Sequence, residues 1–257
     1  MALENMKFLQ ANFIHGSSEL DASSGTATLY NLIDRRPNTY WISVAEGTDT
    51  TASTITWTPS ASYGTIDRLY IKKHNAKSFE VYYDGTESNT FTPAINVSNN
   101  ASSNYYMEFG SMAVASVTLK LKTTITANQE KRVGELYFGT QYFQVENNPD
   151  EYNPILKKKG YDLEMSDGGV KSIWLANKFY GDLNFRYISV AEQAKFRSLY
   201  DNHESFVYMP TPEQGTMWDS NSWTVNWIGD YDAEKLTGGV SRETGFDINM
   251  SLWEVTG

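Results

Sequence analysis

Alternation of apolar and polar residues along the first 140 positions predicts short β-strands. In "SVTLKLKT" (116–123), apolar residues at 117, 119 and 121 alternate with polar residues at 118, 120 and 122, so one strand face is buried and the other solvated. The runs 66–72 and 78–84 are also strand-like, and the polar "KHNAK" between them predicts a hairpin. Another strand is expected at 133–139. Many short strands joined by polar turns are typical of a β-sandwich.

The pattern changes to a helical period in the second half of the chain. In "SVAEQAKFRSLYDNH" (189–203), Ser189 and Glu192 have the spacing of a capping box, and Phe196, Leu199 and Tyr200 fall on one face. These features predict a helix over about 190–202. Before it, "KSIWLA" and "GDLNFRYIS" predict a hairpin turning at "NKFY"; after it come the strand-like runs "SFVYMP", "WTVNWIG" and "GFDINMSLWEV".

A stretch rich in proline, asparagine and acids, "ENNPDEYNP" (146–154), is typical of a domain boundary. We therefore predict a mostly β protein of two β-sandwich domains. Residues 1–140 form a jelly-roll-like sandwich, and residues 141–257 form a sandwich that carries one helix. The basic run Lys157-Lys158-Lys159 is interpreted as a solvated turn before Gly160.

Composition narrows the possible functions. A net charge of −10 and a pI of about 4.8 argue against a nucleic-acid-binding protein, which would carry a basic face. Cysteine is absent, so neither disulfides nor thiolate chemistry are available. The first 16 residues have no apolar segment of the signal-peptide type, and no run is long enough to cross a membrane. We expect a chain that folds in the cytoplasm of its host and binds no membrane.

Candidate catalytic groups are sparse. His15, His74 and His203 are far apart and lack metal-ligand spacing, and no phosphate-binding loop or nucleophile motif occurs. The densest carboxylate clusters, 149–152 and 230–234, lie in polar stretches, where surface acids are expected rather than the paired acids of a glycosidase. We predict that the protein is not an enzyme and holds no cofactor and no metal ion.

The stretch "NLIDRRPNTYWIS" (31–43) combines apolar anchors, an acid, a proline turn and two aromatics. Asp34 can accept hydrogen bonds from backbone N–H groups of the turn, as short acids commonly do, and Tyr40 and Trp41 begin the next strand. Stacking of these aromatics on a sugar is the functional alternative to a role in a corner of the fold.

This stretch resembles the opening of a discoidin-like (coagulation factor 5/8 type C) domain, which is a galactose-binding-type β-sandwich. The matches, in order, are Ser23-Ser24, Asn31-Leu32, Asp34 and Thr39-Tyr40-Trp41. The runs 54–57, 66–83 and 131–139 resemble later strands of that fold, so the likeness covers about 18–140. It implies that Asn31, Asp34, Thr39 and Trp41 are a fold signature, mainly architectural. The chain departs from many extracellular members because their bracketing disulfide is missing.

The second half resembles the β-sandwich-with-helix domains of distal tail proteins of tailed phages, which form a ring between tail tube and tip. The helix is followed by Phe206, a turn with Pro210 and Pro212, and a last strand ending in Glu254. The resemblance implies a structural virion protein of a phage tail. The resemblance also implies its partners, which would be further copies of itself in a sixfold ring (a hexamer) and other tail proteins.

The combined interpretation is a tail ring component with an outward-facing carbohydrate-binding-like module. The alternative is a bacterial glycan-binding protein or an accessory module of a glycoside hydrolase. Binding sites commonly lie on loops held by a rigid scaffold, so loops 43–53, 60–65, 84–92 and 98–106 are the candidates for a host cell-surface glycan. Their aromatics, the candidate carbohydrate-binding residues, are Tyr63, Tyr105 and Tyr106; half-burial at strand starts is the alternative for these rings.

Overall fold

The computed structural model describes residues 6–10, 12–36, 38–44, 48–60, 65–145, 151–164, 170–210, 215–216, 222–236 and 245–255. It divides into two compact units. The first unit comprises 1–144 and 209–222, and the second comprises 145–208 and 223–256. Whereas the sequence suggested one cut at 140/141, the segment 209–222 belongs to the first unit. The part 146–150 of the expected boundary lies outside the described residues.

The first unit is built almost wholly of strands. Two short 3-10 helices, Ser17–Glu19 and Thr26–Leu32, precede most of them. The strands are β1 (Lys7–Leu9), β2 (Leu20–Ala22), β3 (Trp41–Ile42), β4 (Ser53–Trp57), β5 (Ile66–Lys72), β6 (Ala76–Tyr83), β7 (Thr90–Val97), β8 (Tyr105–Met112), β9 (Val117–Thr124), β10 (Arg132–Val133), β11 (Glu135–Gly139), β12 (Gln141–Gln144) and β16 (Gly215–Thr216).

These strands form a β-sandwich, as predicted. A five-stranded antiparallel sheet has the order β2-β4-β9-β6-β7, and a four-stranded sheet has the order β11-β5-β8-β16. Side chains of both sheets meet in one core: Trp57 of the first stacks on Phe138 of the second at 5.2 Å between ring centroids, and Phe79 meets Tyr105 edge-on at 4.9 Å. Smaller antiparallel pairs, β10-β3 and β1-β12, complete the unit.

The predicted hairpin between the strands at 66–72 and 78–84 is wrong. Both strands exist, but β5 pairs with β8 and β11, whereas β6 pairs with β7 and β9 in the other sheet. The connection between them is a buried corner: His74 and Asn75 are 2% and 7% exposed. Asn75 donates a hydrogen bond to Glu130 O, so distant residues hold the corner in place of a local turn.

The second unit contains β13 (Glu151–Glu164), β14 (Val170–Ile188), α1 (Val190–Asp201), β15 (Phe206–Met209, of which Met209 is counted with the first unit), β17 (Trp223–Leu236) and β18 (Gly245–Glu254). The strands follow the order β15-β17-β18-β14-β13, all antiparallel. The helix lies on one face of this sheet, where Phe196 packs against Phe185 at 4.9 Å between ring centroids.

The predicted helix and its cap are confirmed. Ser189 Oγ accepts the N–H of Glu192, and the Glu192 carboxylate accepts the N–H of Ser189. Two other predictions for this half are wrong. "NKFY" is no turn, because β14 runs unbroken from Val170 to Ile188. Lys157-Lys158-Lys159 lies within β13 and pairs with residues 176–178 of β14, so it is strand rather than turn.

Candidate functional site

The fold-signature residues hold a corner of the first unit. Asn31 Nδ2 donates to Tyr40 O at 2.8 Å. Asp34 Oδ1 accepts the backbone N–H of Arg36 at 2.9 Å, as predicted for a short acid at a turn, and the hydroxyl of Thr39 at 2.8 Å. Every one of these bonds is internal to 31–40, so the polar groups of this stretch stabilise the turn itself.

Trp41 anchors the same corner in the core. Its side chain is fully buried, and its Nε1–H donates to Ser24 O at 3.2 Å. Gly25 lies beside it in the left-handed region (φ 66°), and a Cβ there would be 2.0 Å from Ile42 O, so only glycine fits. A buried ring offers no face to a sugar, which leaves Trp41 with the architectural role.

The candidate tyrosines do not form a sugar platform in this structure. Tyr105 and Tyr106 belong to β8 and are 7% and 0% exposed. Tyr105 packs against Phe79, and Tyr106 donates its hydroxyl to Glu108 at 2.9 Å. Burial raises the pKa of both phenols. Their rings are core contacts, more deeply buried than the half-burial alternative supposes, and Tyr63 lies outside the described residues.

A polar cleft of about 470 Å³ opens on the outer face of the five-stranded sheet, near one end of the sandwich. Two of the predicted loops reach it, through Asp49 (43–53) and Ser98 (98–106). Its remaining lining comes mostly from strands rather than loops. The polar lining includes Lys77 and Ser78 of β6, Asn96 of β7, Ser98, and Lys122 and Thr123 of β9.

Three of these side chains have unused hydrogen-bonding capacity. Lys77, Asn96 and Ser98 are exposed, and none makes a side-chain hydrogen bond or ion pair with another described residue. By contrast, Ser78 and Thr123 bond each other at 2.6 Å between hydroxyl oxygens. The cleft therefore presents an ammonium group, an amide and a hydroxyl together, with Val97 and Ile125 as apolar neighbours.

Charge in and beside the cleft is balanced. Lys122 Nζ donates to Glu80 Oε2 at 2.5 Å, and Lys120 lies 2.6 Å from Glu87 and 3.3 Å from Glu80. Burial alone would raise the pKa of Glu80, but hydrogen bonds from the two lysines outweigh it and lower that pKa. The arrangement thus suits a neutral polar ligand better than a highly charged one.

The wall of the cleft at Asp49 is fixed by hydrogen bonds. The Asp49 carboxylate accepts the N–H and hydroxyl of Thr124, both at 3.0 Å, and the N–H of Asn128 at 3.2 Å. Burial would raise the pKa of Asp49, but these bonds hold it below its usual range. Asp49 is therefore an ionised structural acid in the cleft wall and not a proton donor.

A buried lysine secures the same loop from beneath. Lys131 is 0% exposed, and its ammonium group donates to Thr48 O at 2.7 Å and Thr51 O at 2.5 Å. Its backbone also pairs with Ser43. No local sequence pattern indicates this contact, because Lys131 is about 80 positions from residues 48–51.

The sequence predicts a ligand site on loop tips and gives no indication of Lys77, Ser78 and Asn96, which line the cleft from β6 and β7. The outward position of Lys122 was visible in the alternation at 116–123. That Lys122 meets Lys77 and Asn96 depends on the strand order β9-β6-β7, which the pattern alone does not fix.

The described part of the chain gives little support for metal binding, histidine acid–base chemistry or a membrane-spanning helix. No group of three or more His, Asp or Glu residues there could hold a metal ion. His74 is buried, and burial lowers its pKa to about 4, so it is neutral at physiological pH. Among the described helices, none has the length and apolar character of a membrane span.

The chain matches no family model and no curated protein. Several solved structures are similar to it. Chitosan-binding module 1 of a chitosanase/glucanase from Paenibacillus sp. IK-5 is 16% identical, with a TM-score of 0.40, over 51% of this chain and 98% of that one. The family 32 carbohydrate-binding module of Clostridium perfringens NanJ, in complex with galactose, is 14% identical, with a TM-score of 0.38, over 52% and 98%. CpGH89CBM32-5 from Clostridium perfringens, in complex with GalNAc-β-1,3-galactose, is 19% identical, with a TM-score of 0.37, over 48% and 96%.

Proposed function

We propose that this protein binds carbohydrate through the polar cleft of its first unit. The observation that carries the proposal is the convergence of Lys77, Asn96 and Ser98, with unused donors and acceptors, on one cleft of about 470 Å³. This volume lies in the range of small-molecule sites, which is roughly 300–1,000 Å³. The Lys77 ammonium group can donate hydrogen bonds to sugar hydroxyls, and the Asn96 amide and the Ser98 hydroxyl can both donate and accept them. Val97 and Ile125 can contact the C–H face of a sugar ring.

Binding by such an open cleft is weak. A single site of this type has a Kd of about 1 mM, or about −4 kcal/mol. Useful affinity would come from several copies acting on one surface, which raises apparent affinity by roughly 10² or more when all can engage together.

The test is a glycan array probed with the full chain, followed by titration of the best ligand with variants. We expect Lys77→Ala and Asn96→Ala each to weaken binding about fivefold or more, since each removes a hydrogen bond worth about 1 kcal/mol. Lys195→Ala, an exposed lysine on α1, is the matched control. Unchanged affinity in both cleft variants would refute this site, and a blank array would refute carbohydrate binding.

A second candidate function is structural: a component of a phage tail ring in the virion, with the first unit as its outward glycan-binding module. The long β13–β14 pair favours it, because 14- and 19-residue strands exceed what a helix-covered sheet of this size requires. Negative-stain microscopy of the purified chain tests for rings; monomers alone at high concentration would count against this role.

The expectation that the protein is not an enzyme stays a prediction. It is tested by sugar-release assays on capsule and cell-wall material. Turnover abolished by one Asp or Glu substitution would overturn it.

A further inference from the structure

Two edges of the second unit's sheet lack a neighbouring strand among the described residues. β13 pairs with β14 on one side and with no described strand on the other. β17 pairs with β15 only at Trp223–Val225, so its stretch 226–236 has β18 as its one described neighbour. Exposed edges carry rows of N–H and C=O groups that can pair with another chain.

The two edges carry opposite charge at their centres. β13 contains Lys157-Lys158-Lys159, the longest basic run of a chain whose net charge is −10. The free stretch of β17 carries three exposed acids and one base: Asp230, Asp232, Glu234 and Lys235. None of the three acids makes an ion pair with another described residue. Glu151 and Glu164 lie at the two ends of β13, away from its lysines.

These charges select which edges can meet. A β13–β13 pair would combine two strands that each contain the basic run, and a β17–β17 pair two strands that each contain the acids, whereas β13 with β17 combines opposite charges. Strand direction agrees with that choice. Because every neighbour in the order β17-β18-β14-β13 is antiparallel, β13 and β17 run in opposite directions, and a rotated second copy would continue the alternation.

Part of the β13–β14 pair has no third strand beside it among the described residues. β14 pairs with β18 from Tyr180 to Ile188, so its residues 170–179 have β13 as their one partner among the described strands. This two-stranded part exposes apolar side chains; Leu156 is 62% exposed and Val170 65%. A two-stranded ribbon is marginally stable in water by itself, and a third strand would supply the missing backbone partners.

We propose that the basic edge of β13 in one copy pairs antiparallel with the acidic edge of β17 in a second copy of this chain. Such an interface is heterologous, so each copy uses one edge to bind and offers the other to the next copy. The assembly is head-to-tail and closes into a ring where the rotation between copies allows. The proposal rests on the second unit alone and holds whether or not the first unit binds carbohydrate.

The test uses reciprocal charge reversal in the full chain. One variant carries Lys157→Glu, Lys158→Glu and Lys159→Glu; the other carries Asp230→Lys, Asp232→Lys and Glu234→Lys. We expect light scattering after size exclusion to show wild-type assemblies in multiples of 29.1 kDa that weaken as salt rises. Each variant alone should associate about tenfold or more weakly, and an equal mixture should restore assembly.

Restoration in the mixture shows that both variants fold, and far-UV circular dichroism checks each one separately. Lys77→Glu with Lys195→Glu, two exposed lysines outside β13 and β17, is the control for charge reversal elsewhere in the chain and should assemble like wild type. A wild-type chain that stays monomeric at its highest soluble concentration would overturn the proposal. So would two variants that associate as wild type does, or a mixture that does not recover.

Discussion

In the first unit, two sheets bury one face each against the other, whereas the described strands of the second unit form one sheet with a helix on one face. In the first unit, buried polar side chains such as Glu19 and Lys131 also hold loops in place through hydrogen bonds. Among the described strands of the second unit, β13 has β14 as its one neighbour, and residues 170–179 of β14 pair only with β13. The difference teaches that the first unit has the contacts of a self-contained module, while the described part of the second keeps open the strand edges on which the proposed self-assembly depends.

The largest effect should come from the core of the first unit. Trp41→Ala removes a fully buried indole together with its hydrogen bond to Ser24 O, so we expect the free energy of unfolding to fall by about 3–5 kcal/mol. Tyr30→Ala, 60% exposed in the same unit, is the control and should change it by less than about 0.5 kcal/mol. Denaturant titration measures both. If both variants lost the same unfolding free energy, Trp41 would not be a core residue of a closed sandwich.

Acid should destabilise the first unit through Glu19. Burial would raise the pKa of Glu19, but hydrogen bonds from Ser60, His15 and Trp57 lower it from 4.5 to about 2. Because the folded pKa is the lower one, the stabilisation is complete above about pH 4.5 and is lost as pH falls towards 2. The shift corresponds to roughly 3 kcal/mol.

Glu19→Gln should therefore be less stable at neutral pH and show a flatter loss of stability between pH 4.5 and 2. Unfolding free energies measured across that window test this. Glu130→Gln, an exposed acid in the same unit, should keep the wild-type slope. A variant as steep as wild type would show that another group carries the acid sensitivity.

The smallest effect concerns the helix of the second unit. Ser189→Ala removes the hydroxyl that accepts the N–H of Glu192, and we expect a loss of about 1 kcal/mol. Ser189→Asn, which keeps a capping acceptor, should lose less. Thermal unfolding followed by the helical circular dichroism signal compares the two. Equal losses would mean that packing of Phe196, and not the cap, sets where α1 begins.

Features fixed by neighbouring residues could be predicted from the sequence. The cap at Ser189 and Glu192 and the turn bonds of Asp34 each depend on groups within a few positions. The period-2 pattern likewise located β5 and β9 within one residue. The sequence predicts the cap and the turn because the hydrogen bonds that form them join residues only a few positions apart.

Features that depend on distant partners could not be predicted. "KHNAK" has the composition of a hairpin turn, but Asn75 bonds to Glu130 and the chain crosses to the other sheet. "NKFY" begins with Asn177, a residue type common in turns, but pairing with β13 carries the strand through it. The polar cleft likewise arises from strand order, so its residues are scattered between positions 49 and 127.

The burial of Lys131 has a consequence for chemical reactivity. Amine-selective reagents attack a lysine that is deprotonated and accessible, and this ammonium group is enclosed and bound to Thr48 O and Thr51 O. Lys77 and Lys195 are exposed and should be labelled at once. Labelling of Lys131 has to wait until the loop 48–51 opens, so its rate reports how often one wall of the polar cleft comes apart.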